Sequence, residues 1–128
     1  MDSLYLEPCR ILARKGAKVI FCPMDNRVPP EHKYSTRPSY YNHIVARSFE
    51  NNCWFVSADV VRPNNGISIC PGHTFVYDND GVEVSRSKEF IEELLIHDIP
   101  MISLTQERPI RLFGDPDVVR LYIETEVK

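Results

Sequence analysis

No run of apolar residues in this sequence approaches the roughly 18 to 20 needed to span a bilayer, and the amino terminus lacks a basic stretch followed by an apolar core. A membrane anchor and a secretory leader are not expected, and the chain is read as cytoplasmic. Glycine is scarce, with 5 residues against 10 prolines, which points to defined turns rather than a flexible linker. Basic clusters are missing too: the 15 lysines and arginines are scattered and are outnumbered by 18 carboxylates. At a net charge of −3 there is no stripe on which a phosphate backbone could land, so nucleic acid is not an expected partner.

The cysteines have no pattern of their own. Cys9, Cys22, Cys53 and Cys70 stand far apart, with no CxxC pair and no histidine at finger-like spacing, so neither a metal nor a cofactor is expected. Several sit among apolar neighbours and read as small, reduced core residues, as suits a reducing compartment. Cys53 has no activating histidine or helix start nearby. Cys70, in the stretch SICPGH, has His73 three residues on and is the nearest thing to a reactive thiol. His32, His43 and His97 read as surface or helix-face residues and carry no assigned role.

What remains is an ordinary globular composition, 43% hydrophobic and 26% charged over 128 residues, enough to bury one core in a single domain over residues 1–128. Apolar side chains at Tyr5, Leu6, Cys9, Leu12 and Ala13 recur three and four apart, which predicts a helix stopped by Gly16. Residues 17–22 (AKVIFC) read as a buried strand ending before Pro23, and the polar, proline-bearing residues 25–37 as a surface loop. Pro38 then opens a second helix whose stripe is Tyr41, Ile44, Val45, Ser48 and Phe49.

Asn51 and Asn52 close that helix, and residues 54–61 (WFVSADVV) read as the next strand, followed by a turn at 63–66. The stretch HTFVYDNDGVEVSRS pairs two alternating runs around Asn79, Asp80 and Gly81, the pattern of a β-hairpin. Residues 92–99 fit either a helix end or an edge strand, and a strand from Leu94 is the expectation. Asp115 and Pro116 resemble a cap and first turn for a helical tail. Together the elements predict an α/β fold with one sheet and helices on one of its faces. The other sheet face lacks cover within these elements, so association, most simply as a homo-oligomer, is expected.

The order of short motifs resembles the second half of a carbon-nitrogen hydrolase of the nitrilase superfamily. In that family a Cys-x-Asp-x-x-(Phe/Tyr)-Pro-Glu-x-x-Arg motif leads into a helix ending in Gly-Ala. Asp2, Tyr5, Glu7, Arg10, Gly16 and Ala17 fall on those places, with Leu6 where the family usually has proline. Arg47, Ser48, Phe49, Glu50 and Asn51, followed by Trp54 and Phe55, match an Arg-Ala-x-Glu-Asn helix end before an aromatic strand, with Ser48 in place of alanine. Gly72, His73 and Thr74 resemble a Gly-x-Ser step, and Asp78 to Gly81 an Asp-Pro-x-Gly turn with Asn79 in place of proline.

The resemblance implies part of a nitrilase-like α-β-β-α sandwich without its amino-terminal half. It places the family's catalytic cysteine just before Met1 and the glutamate base and oxyanion-stabilising lysine further upstream, so no catalytic residue is expected in these 128 residues. It gives Met1 a backbone amide in the oxyanion hole of the intact fold, and Asp2, Glu7, Arg10, Arg47, Glu50 and Asn51 supporting roles around the site. Spacing alone pairs Glu7 with Arg10 and Arg47 with Glu50 along their helices. A small amide or nitrile is the implied substrate, provided that the missing half is supplied. The alternative is a non-catalytic module that associates through its exposed sheet face.

Overall fold

The computed structural model describes residues 5–32 and 37–107, with the backbone alone for residues 32 and 37–41. Its elements are α1 (Leu6–Arg14), β1 (Val19–Met24), a single 3-10 turn (Pro30–His32), α2 (Arg37–Asn51), β2 (Trp54–Asp59), β3 (Val61–Arg62), β4 (Cys70–Pro71), β5 (Phe75–Tyr77), β6 (Glu83–Arg86) and α3 (Met101–Thr105). The four-stranded sheet has the order β1-β2-β5-β6, while β3 and β4 form a separate two-stranded ladder. β1 and β2 are parallel, with α2 as their crossover, and the other pairs are antiparallel.

Both long helices stop by the same device. At the end of α1, Gly16 donates to Ala13 O and Ala17 to Leu12 O. At the end of α2, Asn52 donates to Phe49 O and Cys53 to Ser48 O. These are Schellman closures, which need a left-handed residue after the helix. Asn52 takes that conformation at φ 52°, as asparagine does more readily than other side-chain-bearing residues.

Ile20, Phe55 and Tyr77 stand opposite one another across three neighbouring strands. With Phe75 they form the sheet side of a core closed by Cys9 from α1, Ile44 from α2 and Cys53. The Phe75 and Tyr77 rings meet edge to face at 5.2 Å, a favoured aromatic geometry. Ser48, one turn after Ile44, is fully buried, and its hydroxyl has no hydrogen-bond partner among the described residues. Ser48→Ala should therefore raise stability by about 1 kcal/mol, read as a higher urea midpoint at unchanged slope; a lower midpoint would show that the hydroxyl has a partner.

The β5–β6 hairpin forms where its alternation predicts. Asp78 closes the turn, its carboxylate accepting from the backbone of Asp80 and Val82 at 2.9 Å each. Gly81 is required there on two counts. Its φ is +77°, and a Cβ would lie 3.1 Å from Val45 O and 3.3 Å from Phe49 Cβ, so α2 rests directly on the turn.

Four expectations change. β1 runs through Pro23 to Met24 instead of ending at Cys22, because an edge strand tolerates a residue without a donor. The 54–61 run splits at Asp59, whose carboxylate accepts the Val60 amide at 2.9 Å and turns the chain into β3. Residues 94–99 lie outside every strand; they cross the sheet face opposite the helices, with Leu95, His97 and Ile99 beside Phe21, Val56 and Val76 around a gap of about 240 Å³. His97 is accordingly half-buried, its ring 5.8 Å from that of Trp54. The face expected to be bare is thus partly strapped, although Phe21 remains 74% exposed. The tail at Asp115 and Pro116 lies outside the described residues.

Among the described residues no helix is long and apolar enough to cross a membrane.

Candidate functional site at the carboxyl ends of two parallel strands

Adjacent parallel strands bring their carboxyl ends together, and open α/β sheets bind ligands just beyond such ends. Here Met24 pairs with Asp59, and a cavity of about 560 Å³ opens next to Asp59, lined also by Val60, Thr74, Ser87, Ile91 and Glu93. Asp59 organises it. One carboxylate oxygen accepts from Asn26 N at 3.0 Å and Val60 N at 2.9 Å, and the other from Asn26 Nδ2 at 3.0 Å and His73 N at 2.9 Å.

Three chain segments that are distant in sequence meet at that single side chain. The Asp59 amide in turn donates to Thr74 Oγ1 at 3.0 Å, which gives the hydroxyl of the Gly-His-Thr step a physical purpose. Gly72, at the start of the step, has φ +78°, and a Cβ there would come within 2.4 Å of Val61 Cγ2; the close approach of β3 leaves room for glycine alone. Asp59 carried no assignment from sequence. The available signal was a carboxylate ending an apolar strand run, where a solvent-facing acid has no packing reason to be.

The loop that supplies Asn26 is charged. Arg27 holds Asp25 through Nη2 at 2.7 Å and Nε at 3.2 Å, and Arg62 stands 4.0 Å from the same carboxylate. The Arg27 hydrogen bonds keep Asp25 below the usual carboxylate range. Val28 and Ile69 form an isolated antiparallel bridge that fixes this loop against the strand carrying Cys70.

Neither Cys53 nor Cys70 is set up as a nucleophile. Burial pushes the Cys53 thiol up to about 11, and it donates to Ala17 O at 3.1 Å. Burial also raises the Cys70 thiol, with the nearby Asp25 carboxylate acting in the same direction. His73, the sequence neighbour that made Cys70 a candidate, has its Nδ1 3.9 Å from Glu89 Oε1. Cys9 is buried under α1 in the core. No group of three or more His, Cys, Asp or Glu residues stands where it could hold a metal ion, among the described residues.

The residues singled out from sequence gather elsewhere. Met1 and Asp2 lie outside the described residues. Arg47 Nη1 meets Glu50 Oε1 at 2.6 Å, and Arg10 reaches Glu50 Oε2 at 3.7 Å, with all three side chains less than one-fifth exposed. Asn51 is buried and donates from Nδ2 to Arg47 O at 2.9 Å. The Glu7–Arg10 pair does not form: Glu7 stays exposed in the first turn of α1, where the helix dipole favours a carboxylate, and Arg10 turns across to α2. The cluster ties α1 to α2 where β2 begins, whereas the cavity lies where β2 ends.

The family model for carbon-nitrogen hydrolases matches residues 1–108. The chain belongs to the carbon-nitrogen hydrolase family. Solved structures agree on the fold. A carbon-nitrogen hydrolase from Helicobacter pylori G27 superposes with a TM-score of 0.61 at 19% identity, over 71% of this chain and 35% of its own. An amidase from Nesterenkonia sp. gives 0.64 at 20% identity, over 94% of this chain and 40% of its own. A glutamate-to-glutamine mutant of the Nesterenkonia sp. AN1 amidase, with the acetamide moiety of fluoroacetamide covalently added at its active-site cysteine, gives 0.52 at 19% identity, over 68% of this chain and 30% of its own. This carbon-nitrogen hydrolase chain therefore spans two-fifths or less of the length of each of these three structures. No curated protein sequence matches it.

Proposed function

We propose that these 128 residues are the part of a carbon-nitrogen hydrolase that follows its nucleophile, and that they are catalytically silent alone. The observation that carries this reading is the lining of the 560 Å³ cavity: it offers carboxylates, hydroxyls and aliphatic walls but, among the described residues, neither a thiol nor an ammonium group. Hydrolysis of a small amide or nitrile through a thioester needs both. A thiolate attacks the carbonyl or nitrile carbon, a carboxylate takes the thiol proton and later activates water against the thioester, and a cation faces the developing oxyanion.

In the complete enzyme a cysteine, a glutamate and a lysine from other chain segments supply those groups, and the amide of Met1 contributes to the oxyanion hole. The acetamide adduct on the related amidase's active-site cysteine supports a cysteine sulfur as the nucleophile. The contribution of this chain is the wall around Asp59 and the helix pair braced by Arg10, Arg47 and Glu50. Thiols outside any disulfide, three of the four buried, suit a cytoplasmic setting.

A second reading, a non-catalytic module that self-associates, is favoured by the incompletely covered sheet face, with Phe21 largely in solvent. Sequencing the transcript ahead of the Met1 codon separates the two. The hydrolase reading expects an open frame with a cysteine codon directly upstream and glutamate and lysine codons in the family's spacing before it; a stop codon close upstream favours the module.

A further inference from the structure

The connection from β3 to β4 reads PNNGISI over residues 63–69, and its first five residues are exposed. Asn65 Oδ1 accepts from Ile67 N at 3.0 Å and from Ser68 N at 2.8 Å, while Asn65 N donates to Ser68 O at 3.3 Å. An oxygen held by the amides of residues 67 and 68 sets its carbon, Cγ, beside the Gly66 peptide that precedes them. The two donors draw charge away from Cγ and face the oxygen on which negative charge would collect if a nucleophile added there, as an oxyanion hole does. Gly66 follows directly at φ +84°, with nothing within 4 Å of the place a Cβ would take, so its amide nitrogen is unscreened. Of the asparagines in the chain, Asn65 alone precedes a glycine. Asn26 commits its Nδ2 to Asp59 and Met24, Asn42 lies within α2, and Asn51 and Asn79 are buried.

We propose that Asn65 is a self-modification site, at which the chain loses ammonia through a cyclic imide and the folded loop assists the step. Hydroxide takes the Gly66 N–H proton and the nitrogen adds to Asn65 Cγ, with the resulting oxyanion held by the amides of Ile67 and Ser68. The Cγ–Nδ2 bond then breaks, and the leaving nitrogen departs as ammonia with a proton from water, which restores the hydroxide. Water opens the imide at either carbonyl: cleavage of the new bond gives aspartate at position 65, and cleavage of the original peptide bond gives isoaspartate. Either way one amide and one water become a carboxylate and ammonia. Asn64 opposes the reaction, because its Oδ1 accepts the Gly66 N–H at 2.8 Å and must release it. The aspartyl product keeps both bonds to residues 67 and 68 with a charged acceptor, whereas the isoaspartyl product lengthens the backbone two residues after Pro63, which lines the cavity at Asp59. The modification thus ages a wall of the candidate site, and it holds whether or not the chain forms part of an enzyme.

Peptide mapping by mass spectrometry tests it on the full 128-residue chain, incubated folded in mildly alkaline buffer. Conversion should begin at Asn65, with a single ammonia released per chain and no turnover. Asn65→Gln should abolish it, since the longer side chain would have to close a six-membered ring. Gly66→Ala should slow it roughly tenfold by crowding the nitrogen. Asn64→Ala should speed it about threefold, the worth of one hydrogen bond released. A measurement without substitution isolates the role of the fold: in guanidinium chloride, where the bonds to Oδ1 are lost, the wild-type site should react about tenfold more slowly at the same pH. A site that reacts as fast or faster in the unfolded chain, conversion that begins at another asparagine, or an Asn64→Ala chain slower than wild type would overturn the proposal. None of these results bears on the codons upstream of Met1, so the hydrolase reading fails or survives independently.

Discussion

Phe55→Ala should cost about 3–5 kcal/mol of unfolding free energy, a large part of the roughly 5–15 kcal/mol that holds a typical domain together. Phe55 is wholly buried at the centre of β2, between Ile20 on one neighbouring strand and Tyr77 on the other, with Ile44 of α2 in the same cluster. Truncation removes its dispersion contacts, and the regular sheet hydrogen bonds on both sides limit how far the walls can collapse. Urea unfolding followed by circular dichroism should show a midpoint far below wild type. Ile67→Ala, in an exposed loop, should stay within about 0.5 kcal/mol. Equal losses at the two positions would mean that the core lies elsewhere.

Asp59→Asn is expected to destabilise by about 2–4 kcal/mol, although it changes one atom. Each oxygen of the carboxylate accepts two N–H groups. An amide keeps one acceptor oxygen, and its NH₂ must face two donors whichever way it is flipped. If Oδ1 is retained, His73 N and Asn26 Nδ2 lose their acceptor; if Oδ2 is retained, Asn26 N and Val60 N do. The consequence is local as well as global: amide exchange at Asn26, Val60 or His73 should speed up ahead of the core strands. A variant with wild-type stability and protection would remove Asp59 from its place as organiser of the cavity.

These two positions also mark how far the sequence could be read. Phe55 sits in an aromatic, β-branched run, so its place in a strand follows from local preference, as do the stop of α1 at Gly16 and the turn at Asp78 to Gly81. Each depends on residues within five positions of one another. Asp59 depends on partners 33 and 14 residues away, Asn26 and His73, and no periodicity reports such a junction. Arg10 illustrates the limit in the charged cluster: spacing offers Glu7 on its own helix, while packing of α1 on α2 offers Glu50. The alternation at 94–99 was legible, but a strand exists only with a neighbour to pair with. The motif resemblance reached the family directly and the cavity not at all, since the cavity is built from segments whose meeting is a tertiary event.

The most direct measurement is ammonia release from small amides and nitriles by the 128-residue chain alone. No turnover above the buffer rate is expected, because none of Cys9, Cys22, Cys53 or Cys70 lines the cavity at Asp59. Reproducible turnover that disappears in Cys70→Ala would contradict the assignment of the nucleophile to a position outside these residues.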